Sequence, residues 1–395
     1  MNRPVLPMSS LSLKLPTANR GIETYRLTAS RAFPAKLEGT LNRVAFSAAH
    51  VVADPLADVD PWLSAAVDWD RTIAFREHVW DLGLGVAEAM DTAQRGMGLT
   101  PADARALIRR SAAEAKAVGG VVACGAMTDA LDPVATHGLE AVERAFLDQC
   151  ALIEDQGCSA IVMCSRALAR TARSADDYAR VYATVLGSVD RPAILHWLGP
   201  MFDPLLTGYW GNTDLDAATE TFVEIVRANA AKIDGVKISL LDAAREIELR
   251  RRLPAGVRVY TGDDFNYPEL IAGDGRHHSD ALLGIFDAIA PAARAALGAL
   301  DDGDRGRYDE ILAPTVTLSR HLFAAPTYAY KTGIVFLAYL NGFQSHFRML
   351  AGAESARSVV HLARVLELAD AAGLIVDQEL AAERAARVFA TAGIG

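Results

Sequence analysis

Seven short, almost unbroken apolar runs recur through the first two thirds of the chain, each followed by a longer amphipathic segment. This rhythm limits the fold more than any other feature. The runs are 43–50, 85–90, 120–125, 160–164, 193–197, 235–239 and 257–261, with a weaker eighth at 281–286. Strands without polar–apolar alternation are those buried on both faces, as in parallel sheets covered by helices. The spacing predicts helices over 69–82, 101–117, 139–156, 175–186, 215–231 and 242–253. Eight such units predict an α/β fold, a (β/α)8 TIM barrel. The rival, a doubly wound sheet, usually carries a glycine-rich phosphate turn after its first strand. The nearest approach, Gly83-Leu-Gly85, lacks the third glycine and precedes its strand.

The flanks read differently. Alternation over Leu11–Leu15, turn residues from Ala18 to Gly21 and a second run from Ile22 to Leu27 predict an N-terminal hairpin. After Ala290 only helical pattern remains, over 292–300, 308–323, 332–350, 356–372 and 378–392. The expected division is therefore a hairpin or arm over 1–40, the barrel over 41–300 and a C-terminal helical extension over 301–395. Apolar positions in the last helices predict a further burial surface, hence a homo-oligomer.

Composition narrows the partners. The 395 residues carry a formal net charge of −10 and no basic block, which argues against nucleic acid, since phosphate binding needs clustered Lys and Arg. The least charged late stretch, 332–347, is too short for a bilayer, and the N-terminus has no continuous apolar core of a signal peptide. The four cysteines, Cys124, Cys150, Cys158 and Cys164, form no CxxC and read as buried thiols of a reducing compartment. A cytoplasmic protein acting on a small molecule, with no membrane partner, is the expectation.

In such a barrel catalytic groups come from the C-terminal ends of strands and the loops beyond. Those ends hold His50; Glu88, Asp91 and Thr92; Ser165 and Arg166; His196 and Trp197; Lys237 and Ser239; and Asp263, Asp264 and Asn266. Lys237 stands out because its strand neighbours are apolar. Burial disfavours the charged ammonium, lowers its pKa and frees an amine that can attack a ketone or aldehyde. The plainer reading is a structural lysine paired with a carboxylate such as Asp263 or Glu88.

Four segments add a resemblance. The strand Ile233-Asp-Gly-Val-Lys237-Ile-Ser resembles the GIKE/GIKD strand of the dihydrodipicolinate synthase / N-acetylneuraminate lyase family. Tyr260-Thr-Gly-Asp-Asp264 is similar to its SGDD segment, Pro192 to Pro200 to its strand-five segment, and Ala325 to Lys331 to a turn in its helical tail. Order and layout agree over most of residues 40–390. The resemblance implies a class I aldolase-type barrel, often tetrameric and needing no cofactor, in which Lys237 forms a Schiff base with a 2-oxo acid. His196 takes the place of the family's proton-shuttling tyrosine, work that histidine can do nearer neutrality. The family's GTTGE loop aligns with Asp91-Thr-Ala-Gln-Arg95, where only Thr92 survives. Ser165-Arg166 replaces an aromatic pair.

The function expected is thus a Schiff-base-forming lyase acting on a 2-oxo acid or keto-sugar derivative. Lys237 and His196 are its catalytic pair. Asp91, Thr92, Arg166, Trp197, Ser239, Asp263, Asp264 and Asn266 contact substrate, Arg166 as a bidentate anion clamp. Two alternatives stay open. His50, Glu88, Asp91, His196 and Asp264 are the residue types that hold a divalent metal in sugar isomerases and epimerases. A non-catalytic binding barrel is the other, since fold does not dictate function.

Overall fold

The computed structural model describes residues 8–28, 33, 39–132 and 134–394. By its internal contacts the chain divides into two compact units. One comprises Asn42–Ala49 and Leu84–Gly284; the other comprises Met1–Leu41, His50–Gly83 and Ile285–Gly395.

The first unit is a closed parallel barrel. Its strands are β3 (Ala45–Ala48), β4 (Gly85–Glu88), β5 (Val122–Ala126), β6 (Ser159–Val162), β7 (Ala193–Leu198), β8 (Ile233–Ser239), β9 (Arg258–Thr261) and β10 (Asp280–Leu283). They close in the order β10-β3-β4-β5-β6-β7-β8-β9, and every neighbouring pair is parallel. The TIM barrel expected from the apolar runs is the fold observed. β1 (Met8–Pro16) and β2 (Ile22–Thr28) form the expected antiparallel hairpin.

The helices are α1 (Trp69–Asp81), α2 (Pro101–Val118), α3 (Leu139–Asp155), α4 (Arg166–Thr171), α5 (Ala175–Ser188), α6 (Leu215–Ala228), α7 (Ala243–Arg252), α8 (Tyr267–Ala272), α9 (Ile285–Asp301), α10 (Arg305–Leu322), α11 (Tyr330–Leu340), α12 (Val359–Ala371) and α13 (Gln378–Thr391). Local chemistry fixes their ends. Thr100 accepts from the Asp103 amide ahead of Pro101 at the start of α2, and Gly119, at φ 76°, closes it. Asp214 and Asp242 cap α6 and α7 in the same way.

Side chains inside the ring form the core that raises the site. Phe46, Ala48, Ala87, Ala123, Ile161, Ile194, Tyr260 and Leu282 pack together with Met90 and Met163. Phe46 and Tyr260 meet edge to face at 6.1 Å. A Cβ on Gly235 would lie 2.7 Å from the Tyr260 ring, so glycine there is what admits the aromatic.

In the second unit the hairpin lies against α12 and α13. Asp370 of α12 accepts from the Tyr25 hydroxyl at 2.8 Å and the Thr28 amide at 2.9 Å. The helix expected over 332–350 stops at Leu340. Asn341 and Gly342 turn the chain, with Gly342 at φ 88° and the Asn341 side chain bonded to the Leu374 carbonyl and the Val376 amide. The boundary expected at residue 300 falls inside α9, which runs on through Pro291. The short helices α4 and α8 follow strands directly and carry too few residues to show a period.

One buried carboxyl links helix to barrel. Glu246 of α7 accepts from Ser279 Oγ at 2.7 Å and Thr261 Oγ1 at 3.0 Å. Burial pushes its pKa up to about 8, against those two hydrogen bonds. A raised carboxyl favours the protonated form in the fold, whereas the unfolded chain ionises near its ordinary 4.5. Its stabilising effect is full below the unfolded value and is lost as pH rises through the folded one. Wild-type stability should therefore fall by a few kcal/mol between about pH 4.5 and about pH 8. In Glu246→Gln the hydroxyls can rotate to suit the amide, and that part of the slope should vanish. Urea unfolding across this range checks it; parallel curves for both proteins would remove Glu246 as the cause.

Candidate active site

Strand parity decides which groups can meet. Directly paired residues on neighbouring strands point to the same face, and successive residues to opposite faces. His196 pairs with Lys237, and Lys237 with Tyr260; two residues earlier Ile194 pairs with Gly235. Ile194 and Tyr260 both belong to the interior core. His196 and Lys237 therefore project into the ring, side by side. The Tyr260 hydroxyl donates to Asp234, at the start of β8. Beyond β9, a Cβ on Gly262 would stand 2.9 Å from Lys237 Cε and closer still to Ser239 Oγ. Gly262 leaves the space through which the lysine passes, on the side where the strands end.

The electrostatics follow from burial. Lys237 is only 4% exposed, and burial lowers its pKa, while Asp91 and Asp264 pull it back up. The carboxylates acting on the lysine are these two, rather than the Asp263 or Glu88 of the structural reading. His196 is held well below its ordinary pKa, chiefly by burial and then by the charge of Lys237. It is therefore neutral near pH 7. Its Nε2 lies 3.1 Å from Ser239 Oγ, and its buried Nδ1 has no hydrogen-bond partner. A neutral imidazole with one open nitrogen, in register with an amine of depressed pKa, can accept or return a proton beside that amine.

The loops after β4 to β6 are braced rather than loose. Arg95 is buried and bonds Asp129 through Nε and Nη2, both at 2.9 Å, and Gln149 at 2.7 Å. Arg166 pairs with Asp203 at 2.6 Å. With Gly96, Met127, Thr128, Asp129 and Leu131 it borders a pocket of about 110 Å³. Thr128 Oγ1 and Ser165 Oγ share a hydrogen bond at 2.6 Å, and the Tyr209 hydroxyl accepts from the Ser165 amide at 3.0 Å. Ala89 and Leu241, beyond β4 and β8, sit at φ 53° and 55°, a conformation that non-glycine residues adopt at a cost and that clusters at functional sites.

The other expected residues separate. Asp91, Asp264 and Ser239 stand with the lysine or its histidine, and Thr92 is buried in the loop after β4. Asp263 accepts from the Phe265 and Asn266 amides and from the Asn266 side chain, so this pair shapes the turn into α8. Trp197 is a correction. It falls between His196 and Leu198 on the outer face, packed against Trp210 at 6.1 Å and Phe222 at 5.2 Å, and does not line the interior.

The five residues of the alternative metal set do not all share the interior. Glu88 also faces outward, where Ser111 of α2 and the Ala89 amide donate to it. His50 bonds Asp287 through Nδ1 at 2.8 Å, and its buried Nε2 has no hydrogen-bond partner. Among the described residues no group of three or more His, Cys, Asp or Glu side chains is placed to hold a metal ion. Sequence reasoning did not single out Gly262, and a glycine flanked by Thr261 and Asp263 carries no signal of what its missing Cβ makes room for.

Fold and site together give a closed (β/α)8 barrel with a lysine borne inside the ring. The chain belongs to the family described as "Protein of unknown function (DUF993)", which it matches over residues 13–394. No curated protein matches it. Among solved structures it is similar to dihydrodipicolinate synthase from Aquifex aeolicus, at 16% identity and TM-score 0.63, covering 85% of this chain and 100% of that one. A putative dihydrodipicolinate synthetase from Pseudomonas aeruginosa gives 16% and 0.62, covering 82% and 98%. The chloride-inhibited enzyme from Acinetobacter baumannii, complexed with pyruvate, gives 16% and 0.60, covering 84% and 99%. At this identity the likeness is one of fold. Among the described residues no helix is long and apolar enough to cross a membrane.

Removing one carboxylate should move the lysine in a known direction. Asp264→Asn takes away a charge that favours the ammonium, so the Lys237 pKa should drop further. Labelling by cyanate, followed by mass spectrometry of the Lys237 peptide across pH, should show its midpoint at lower pH than in wild type. An unmoved midpoint would show that Asp264 does not act on the amine.

Proposed function

We propose that this protein is a Schiff-base-forming lyase, of aldolase or dehydratase type, acting on a 2-oxo acid or keto-sugar derivative. One observation carries the reading: an interior lysine of depressed pKa stands in strand register with a neutral histidine, facing Asp91 and Asp264. The fold similarity to dihydrodipicolinate synthases, one of them complexed with pyruvate, is consistent with it.

The steps balance on these groups. The Lys237 lone pair attacks the carbonyl carbon, and the tetrahedral adduct takes one proton from solvent onto its hydroxyl and loses it as water, leaving a protonated imine. That iminium draws electrons from the adjacent carbon. His196 Nδ1 takes the α-proton, giving a neutral enamine and an imidazolium. The enamine then attacks an aldehyde, or expels a β-hydroxyl as water when the proton is returned to it. Ser239 steadies the ring through Nε2. Asp91 and Asp264 hold the amine and its iminium by charge, Thr92 and Arg166 orient the anionic or hydroxylated end, and no cofactor takes part. With this function we propose a cytoplasmic homo-oligomer, against which a monomeric mass from light scattering would count.

Pyruvate with borohydride is the direct test. Trapping should place a reduced adduct on Lys237 in wild type and none in Lys237→Ala, whose circular dichroism should match wild type. His196→Gln should still be trapped but should exchange the pyruvate methyl protons with D2O at least about a hundredfold more slowly. If a panel of 2-oxo acids and keto-sugars leaves Lys237 unmodified, the imine reading falls.

A further inference from the structure

A second cavity, of about 550 Å³, lies among the C-terminal helices, bordered by residues of α11, α12, α13 and the segment that joins α11 to α12. That volume is in the range of small-molecule sites. Part of its wall is apolar, from Tyr339, Phe347, Leu362 and Val388; Tyr339 and Phe347 lie nearly parallel, at 19°. Its charged lining is Arg348, Arg357 and Arg387 against Glu354 alone, and His346 is shifted toward its neutral form by burial. A basic cavity is the opposite of the chain's net charge of −10.

The three arginines differ. Arg348 is paired with Glu354 at 2.8 Å, and Arg387 with Glu383 one turn earlier on α13. Arg357 has no carboxylate partner among the described residues. Its guanidinium donates to backbone carbonyls, those of Ala324 at 2.5 Å and Pro326 at 3.1 Å among them, and its buried Nε has no hydrogen-bond partner. Carbonyl dipoles solvate a cation but do not neutralise it, so a half-buried guanidinium of this kind gains from a counter-ion.

We propose that this cavity is a binding site for a small organic anion, a planar or branched hydrocarbon body bearing one carboxylate or phosphate. The head would face the arginines, and the body would lie against Tyr339, Leu362 and Val388. The site is separate from Lys237 and holds whether or not the imine chemistry does.

Isothermal titration of the full chain with phenyl phosphate and with benzoate tests it, with benzyl alcohol as the uncharged probe. Either anion should bind saturably, and more tightly than benzyl alcohol by at least about tenfold, the scale of one charge-assisted contact. Arg387→Gln, at an exposed side chain, should weaken binding by about the same factor while leaving the melting temperature close to that of wild type. Thr391→Trp, at an exposed position on the rim, should block it. Phosphate preferred over carboxylate, or the reverse, identifies the head group, and either supports the proposal. No binding by both anions, equal binding of benzyl alcohol, or undiminished binding to both variants would overturn it.

Discussion

Everything chemical in this molecule depends on holding an amine inside a ring of strands without fully discharging it. Burial alone would drive Lys237 toward a neutral amine; two carboxylates, Asp91 and Asp264, oppose that and keep the ammonium within reach. The same burial, joined to the lysine's own charge, denies His196 a proton. The lysine thus helps to set the state of the histidine. An exposed lysine would stay an ammonium at neutral pH, and a lysine buried without carboxylates would have no charge to bind an acid and nothing to steady an iminium.

The barrel makes this affordable through its distribution of side-chain volume. Phe46 occupies the interior where Gly85 gives way and Tyr260 where Gly235 does, and Tyr260 directs its hydroxyl to Asp234. Beyond β9, Gly262 gives way to Lys237 and Ser239. Glycine thus serves opposite purposes near the lysine, admitting an aromatic at Gly235 on its own strand and letting a polar chain through at Gly262 beyond β9. The loops above are pinned by Arg95, which bonds Asp129 and Gln149, and by Arg166 with Asp203. Charges that look from sequence like ligand clamps are in part the fastening of the loops.

The fold was legible because strands buried on both faces must be apolar throughout, and eight such runs leave few architectures. That uniformity is also why part of the site was not. A run such as Ala-Ile-Leu-His-Trp does not reveal which of His196 and Trp197 faces inward; the register with Gly235 and Lys237 does. Glu88 was misplaced for the same reason, one residue of parity putting it against Ser111 of α2. His50 finds Asp287 across most of the chain's length, a pairing no local pattern contains. The helix expected to reach residue 350 failed on a visible signal, Asn341-Gly342, outweighed by the apolar run before it.

Histidine in place of a tyrosine changes how charge can move under the proposed chemistry. The imine carries a positive charge at Lys237, beside a ring already reluctant to be protonated. Two cations side by side in a buried ring would be costly, so the imidazolium can form only as the iminium becomes a neutral enamine. Proton abstraction then shifts one positive charge across one strand spacing, from nitrogen to ring, and leaves the net charge facing Asp91 and Asp264 unchanged. The carboxylates need not reorganise during the step. A tyrosine would have to enter this step as a phenolate and leave it neutral, so the charges of phenolate and iminium would vanish together and the net charge would not move across the ring. The hydrogen bond from Ser239 to Nε2 or back, with either atom able to donate, lets the ring hold its place in both states.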